Sequence, residues 1–192
     1  MRVSAAPSVT LRPAVAEDHR LLAGLMQFYI YDFSEFARNP ADFRFNASGA
    51  FAPYPQLDRY FDAPNHWPLL IYADADIAGF ALINQHSHRT GGHVERNMAE
   101  FFIGRPFRRN GIATLAFHRI LELHPGAWEI AVALRNAPAR VFWPRAIAAA
   151  PNVTELEQSD GDGVHWTGPI WSFRALGSLA APEQPEGRTD RR

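Results

Sequence analysis

The stretch Met98-Ala99-Glu100-Phe101-Phe102-Ile103, followed shortly by Arg108-Arg109-Asn110-Gly111-Ile112-Ala113, decides how this chain reads. An apolar strand runs into a basic turn with a glycine, and the turn opens a helix that continues Thr114-Leu115-Ala116-Phe117. Such a turn aims several unpaired backbone N–H groups at one spot, with the positive end of the helix dipole behind them. A phosphate or pyrophosphate is favoured there. Gly111 lets the backbone approach a ligand with no side chain in the way, while Arg108 and Arg109 add charge. The turn points to a phosphorylated cofactor.

Upstream of this turn, residues 9–13 read as a first strand stopped by Pro13, and Glu17 and Asp18 open a helix. Leu21, Leu22, Leu25, Met26 and Tyr29 fall at helical spacing. From Tyr31 to Pro55 the chain is aromatic-rich and broken by Pro40, Gly49, Pro53 and Pro55, which predicts a helix end and then a long loop that folds over a site. A short helix is expected over 57–61. Strand-like runs at 67–73 and 77–84 flank Asp74-Ala75-Asp76 and predict a hairpin. The polar segment 85–97, with its Gly91-Gly92 pair, reads as a loop.

Downstream, the helix from the glycine turn is expected to end near His124-Pro125-Gly126, with a strand over 128–134. Asn136-Ala137-Pro138 begins another helix, with Asn136 as N-cap and the proline in the first turn. Pro144 should kink or shorten it. Residues 153–158 and 169–176 read as a closing strand pair, and the composition from Pro182 onward is that of a disordered tail. The expected organisation is a flexible N-terminus over 1–8, a single domain over 9–178 and a tail over 179–192.

A chain of 192 residues is long enough to bury a substantial core within one domain. Its net charge of −1 argues against a nucleic-acid partner, because binding a phosphate backbone rests on a clear basic excess. With no cysteine, disulfides, thiolate metal sites and a covalent acyl-cysteine intermediate are all excluded. No apolar run approaches the ~20 residues that span a bilayer, and the N-terminus has no apolar signal core, so the chain reads as cytoplasmic with no membrane partner.

On these residues the chain resembles the GNAT superfamily of acyl-CoA N-acyltransferases. The family's (Gln/Arg)-x-x-Gly-x-(Gly/Ala) turn after the fourth strand is matched by Arg108, Gly111 and Ala113. A second block, Asn136-Ala137-Pro138-Ala139, resembles the Asn-x-x-Ala element after the fifth strand. Glu100-Phe101-Phe102-Ile103, Pro125-Gly126-Ala127-Trp128-Glu129 and Phe142-Trp143 look like a bacterial branch often called predicted acetyltransferases. The resemblance implies a mixed α/β fold. Its central sheet has about six to seven strands, splayed between the fourth and fifth, with helices on both faces.

It also implies acetyl-CoA as co-substrate. Phe101, Phe102 and Ile103 would lie along the pantetheine, Arg108, Arg109, Asn110, Gly111, Ile112, Ala113 and Thr114 around the pyrophosphate, and Asn136 close to the cofactor. The implied reaction is direct attack of a primary amine of a small molecule on the thioester, in a ternary complex. A lysine-like amine has a pKa of ~10.4, so using its free base at pH 7 costs roughly 4 to 5 kcal/mol. A general base lowers that cost. Glu100 is the candidate, against the alternative of a strand-edge glutamate in a structural hydrogen bond or facing solvent, because one residue of register decides its face.

Many family members carry a proton-donating tyrosine where this chain has Trp143, whose indole N–H does not give up a proton. All five tyrosines lie in the first half of the chain, so either one of them reaches over or the thiolate leaves without a protein acid. Tyr29, Tyr31 and Asp32, with Glu35 nearby, fall where the family's first-helix loop walls the acceptor pocket; acids among aromatics would suit a cationic amine. His86, His88 and His93 have no companion ligand at matched spacing and read as a solvated loop, with no metal site. The rival functions are a non-catalytic acyl-CoA sensor and an acetyltransferase acting on a protein or aminoacyl-tRNA amino group. A homodimer is compatible with the sequence, which does not fix the oligomeric state.

Overall fold

A computed structural model describes residues 8–177. Seven strands form one sheet: β1 (Val9–Pro13), β2 (Trp67–Ala73), β3 (Asp76–His86), β4 (His93–Ile103), β5 (Gly126–Ala131), β6 (Val153–Asp160) and β7 (Pro169–Ala175). Their order is β1-β2-β3-β4-β5-β7-β6, and every neighbouring pair is antiparallel except β4 and β5. Four helices flank them: α1 (His19–Ser34), α2 (Arg59–Asp62), α3 (Ile112–Leu123) and α4 (Ala137–Ala148).

The sheet is covered on both faces. Leu22 and Met26 of α1 and Tyr60 of α2 pack on Leu70, Phe80, Leu82 and Phe102. On the other face, Ala116, Phe117, Ile120 and Leu121 of α3 and Trp143, Ala146 and Ile147 of α4 pack on Leu69, Ile71, Trp128 and Phe173. The central strands are apolar on both sides for this reason, and alternation gives way to continuous runs such as Phe80-Ala81-Leu82-Ile83.

The parallel pair is where the sheet opens. β4 and β5 are in register only at Arg96 with Trp128 and Asn97 with Glu129. Beyond these two rungs they part, and the β4 edge from Met98 to Ile103 has no rung to β5. A β-bulge lies at the same level: Leu82 faces Glu100 while the next residue, Ile83, faces Met98. Ala99 is the extra residue, and a bulge of this kind re-aims the side chains on either side of it. Met98 points into the α3–α4 core, whereas Ala99 and Phe102 lie against the α1 side.

Several boundaries differ from the sequence expectation. α1 continues through Tyr31 to Ser34 instead of ending before it, so Asp32 is helical. The segment 85–97 is not one loop, because β3 runs to His86 and β4 begins at His93; only residues 87–92 turn. Polar side chains in strands at the sheet's end mimic a loop. The 128–134 run begins as a strand at Gly126 and ends at Ala131. Pro144 neither ends nor shortens α4, which runs on to Ala148. The segment up to residue 7 and the tail from residue 178 lie outside the described residues.

Candidate active site

The parting of β4 and β5 opens a cleft of about 1210 Å³. One end of it is the glycine turn. Arg109 and Gly111 both take left-handed backbone conformations, φ 67° and 78°, which turn successive N–H groups to one side. A side chain at position 111 would meet nothing within 4 Å, so the glycine is required by backbone angle and not by space. The first backbone hydrogen bond of α3 runs from Leu115 N to Gly111 O at 3.0 Å. The N–H groups of Ile112, Ala113 and Thr114 therefore have no acceptor among the described residues. Ile112 itself is a core side chain, and only its backbone faces the turn.

Asn136 caps α4, its side-chain oxygen accepting from Ala139 N at 3.1 Å, and it lines the cleft with Pro138, Ala139, Phe142 and Trp143. Phe101 stacks on Phe142 at 6.1 Å and meets Trp143 edge-on at 5.3 Å, so their rings are packed side chains as well as cleft wall. A smaller cavity of about 640 Å³ adjoins the turn between α3 and α4, lined by Arg109, Thr114 and Arg145.

Glu100 lies at the centre. It projects toward α1, where Tyr54 Oη donates to its Oε1 at 2.8 Å and Tyr29 Oη donates to its Oε2. Burial pushes the Glu100 carboxyl above its ordinary pKa, outweighing the two tyrosine hydrogen bonds that pull it down. Burial and the adjacent carboxylate push both tyrosines upward, so they stay protonated and donate. Beside them Asn97 Nδ2 donates to Asn84 Oδ1 at 2.9 Å, and Asn84 Nδ2 donates to Tyr60 Oη at 3.1 Å. Glu100 is thus turned away from solvent into two hydrogen bonds, on the stretch of β4 whose edge is open.

The other candidate side chains divide. Asp32 does not stand free: Arg105 donates twice to its Oδ1, at 2.9 and 2.7 Å, and Arg108 pairs with its Oδ2. Burial alone would raise Asp32, but the hydrogen bonds from Arg108 and Arg105 hold its carboxyl below the usual range. Arg108 also donates from Nε to Ile103 O at 2.7 Å, so its guanidinium is turned back toward α1. Arg109 carries no such pair and lines both cavities. Tyr31 is exposed beside Phe51 and does not line the cleft.

Three residues escaped sequence reading. Tyr54, flanked by Pro53 and Pro55, sits in an irregular segment with no periodic signal. Glu129 is a buried carboxylate on β5 that accepts from Ser87 Oγ at 2.8 Å, His88 N at 2.6 Å and Arg89 N at 3.2 Å. A single acid inside the apolar run Trp128-Glu129-Ile130 was its available signal. Trp166 packs on His88 with ring centroids 4.5 Å apart and the planes tilted by 53°, and it lines the cleft. The 87–92 turn also packs on the β6–β7 loop: a Cβ at Gly91 would lie 2.4 Å from the His165 ring. His86 and His93 are exposed strand residues and only His88 lies in the turn between them, and all three line the cleft. Among the described residues no three metal-binding side chains converge.

Residues 30–146, more than half of the chain, match the family model described as Acetyltransferase (GNAT) family. The chain belongs to this acetyltransferase family. No curated protein matches this GNAT chain. Among solved structures, an acetyltransferase from Thermus thermophilus is similar over 89% of this chain and 99% of its own, with 13% identity and a TM-score of 0.60. The GNAT domain of S. lividans PAT covers 88% of this chain and 90% of its own, at 13% identity and a TM-score of 0.56. The PaiA N-acetyltransferase from Thermoplasma acidophilum, solved in complex with coenzyme A, covers 88% and 99%, at 11% identity and a TM-score of 0.54. At such identities the likeness is one of fold, and it matches the mixed GNAT sheet with its splayed fourth and fifth strands. Among the described residues no helix is long and apolar enough to cross a membrane.

Proposed function

We propose that this GNAT protein transfers an acetyl group from acetyl-CoA to a primary amine of a small molecule by direct attack in a ternary complex. The observation that carries the reading is Glu100, held by two tyrosine hydroxyls in a cleft whose far end is a phosphate-binding turn. In this reading the pyrophosphate sits on the N–H groups of residues 109–114, with Arg109 and the adjoining Arg145 cavity taking the rest of the nucleotide. The pantetheine pairs with the open β4 edge along Phe101, Phe102 and Ile103, and Asn136 lies across from it. Arg108 contributes indirectly, by tying the turn to α1 through Asp32.

Glu100 accepts a proton from the acceptor amine as nitrogen attacks the thioester carbonyl. Its raised pKa makes it a stronger base than an exposed carboxylate. An N–C bond forms, the C–S bond breaks, and the proton removed from nitrogen ends on the CoA sulfur. A backbone N–H on the open β4 edge stabilises the oxyanion. Trp143 is packed against Phe101 and Phe117 and supplies no proton. Tyr29 and Tyr54 are the tyrosines that reach the reacting centre, bound to the base.

The testing experiment is thiol release from acetyl-CoA across a panel of amines, alongside the melting temperature with and without cofactor. A ligand that binds only the native state raises the melting temperature. A rise together with thiol release supports the enzyme; a rise with no release from any amine favours the acyl-CoA sensor; no rise at saturating acetyl-CoA removes the cofactor assignment.

A further inference from the structure

The charged groups along the cleft fall into two sets on either side of Glu100. Toward the C-terminal end of β4, Asp32 is held by Arg105 and Arg108, and Glu35 lies beside Arg105. Asp32 is neutralised by these neighbours, whereas Glu35 forms no ion pair among the described residues. Glu100 itself is engaged by Tyr29 and Tyr54. The one unpaired carboxylate, Glu35, lies at the turn end, and beyond Glu100 no carboxylate among the described residues lines the cleft.

At the opposite end the inventory is of the other sign. The ladder Trp67–Ile83–Met98 places the residue before β2, His66, level with the start of the open β4 edge. Arg59 lies near His66, and both line the cleft. His86 and His88 line the same end, with Trp166 against His88 as an apolar wall. Arg59 forms no ion pair among the described residues. Two cleft arginines, Arg109 and Arg59, thus have no carboxylate partner among the described residues, one beyond each end of the open edge. Arg109 belongs to the cofactor turn. Arg59 has no cofactor to serve.

We propose that Arg59 binds a carboxylate on the acceptor, so that the acceptor is an amino acid or a closely similar amine-bearing acid, its amine at Glu100 and its acid group at Arg59. This rests on the acetyltransferase reading above and adds the acceptor's second functional group. A guanidinium offers a planar pair of donors that matches a carboxylate. His66 beside it offers a further hydrogen-bonding group, and Trp166 in the same cleft offers apolar surface for a side chain.

Matched acceptors test it: an amino acid with an apolar side chain, its primary amide and its decarboxylated amine, each offered with acetyl-CoA. The acid should be used at least tenfold better in kcat/KM than either partner. Arg59→Met should collapse that preference to within about threefold, acting mainly through KM, while the acetyl-CoA-induced rise in melting temperature stays as in the parent. The same three compounds, titrated calorimetrically onto the protein saturated with CoA, give a readout independent of turnover, and only the acid should bind. Equal or better use of the amide or the amine overturns the proposal. So does an unchanged preference in Arg59→Met, or failure of all amino acids tried to bind the CoA complex. Failure of acetyl-CoA to bind overturns the parent reading instead.

Discussion

Tyr54 and Glu100 are 46 residues apart in sequence, yet the tyrosine hydroxyl donates to the carboxylate at 2.8 Å. That bond favours the ionised glutamate against the burial that opposes it. Tyr54→Phe should therefore move the acidic limb of the kcat/KM profile to higher pH. It should also lower kcat/KM by about tenfold to a hundredfold, the range expected for one hydrogen bond to a charged group. A pH–rate profile checks both, and an unmoved limb would show that Tyr54 does not set the basicity of Glu100.

Glu100→Gln should cut turnover by well over tenfold with acetyl-CoA binding intact, since a positioned base contributes about 10²–10⁴. The same variant has a stability signature. A carboxyl whose folded pKa is raised binds more protons folded than unfolded, so it costs stability as pH rises above its unfolded value of ~4.3. The melting temperature of Glu100→Gln relative to the parent should rise between pH 4 and pH 8. A constant difference would mean that Glu100 is not shifted.

His124 titrates the other way. Burial, reinforced by Arg96, lowers its pKa to about 4. The unfolded chain therefore takes up a proton first, and the stability linked to neutral His124 is present above ~6.5 and is lost as pH falls toward 4. In His124→Gln the loss of melting temperature between pH 6.5 and 4 should be visibly shallower. Thermal scans across that window decide it.

Asp32 is a structural tie between α1 and the segment after β4. Asp32→Asn should cost about 1 kcal/mol, because its ion pairs are partly exposed and partly screened. It should raise the KM for acetyl-CoA more than the KM for the acceptor. The reverse order in steady-state kinetics would return Asp32 to the acceptor pocket.

Glu129→Ala removes a buried acceptor shared by three donors and should cost about 2–3 kcal/mol. Amide exchange should quicken at His88 and Arg89 before it does elsewhere in the sheet. Uniform exchange would mean that the 87–92 turn is held by other contacts.

The glycine turn and the α4 cap were legible because they are local. The glycine turn is six consecutive residues, and the Asn136 cap bonds three residues along, so spacing alone gives their geometry. The surroundings of Glu100 are non-local. Alternation along β4 could not fix the face of Glu100 relative to Met98, because the bulge at Ala99 appears only once β3 and β4 are paired. Asp32 read as a free acid because its arginines lie 73 and 76 residues away. Tyr54 and Trp166 lie in irregular segments, where no period marks which side chains turn inward. The histidines read as loop because polar strand residues facing a cleft have the composition of a turn.

The extra residue in β4 divides that strand into two parts with different duties. Before Ala99 the strand is stitched to neighbours on both edges and belongs to the permanent framework. After it, one edge has no rung to a neighbour. Were Ala99 drawn into regular pairing, Met98 and Glu100, two residues apart, would fall on one face, so that either Met98 left the α3–α4 core or Glu100 left its tyrosines. Loss of the bulge would thus damage packing and chemistry together, although no reacting side chain had been altered.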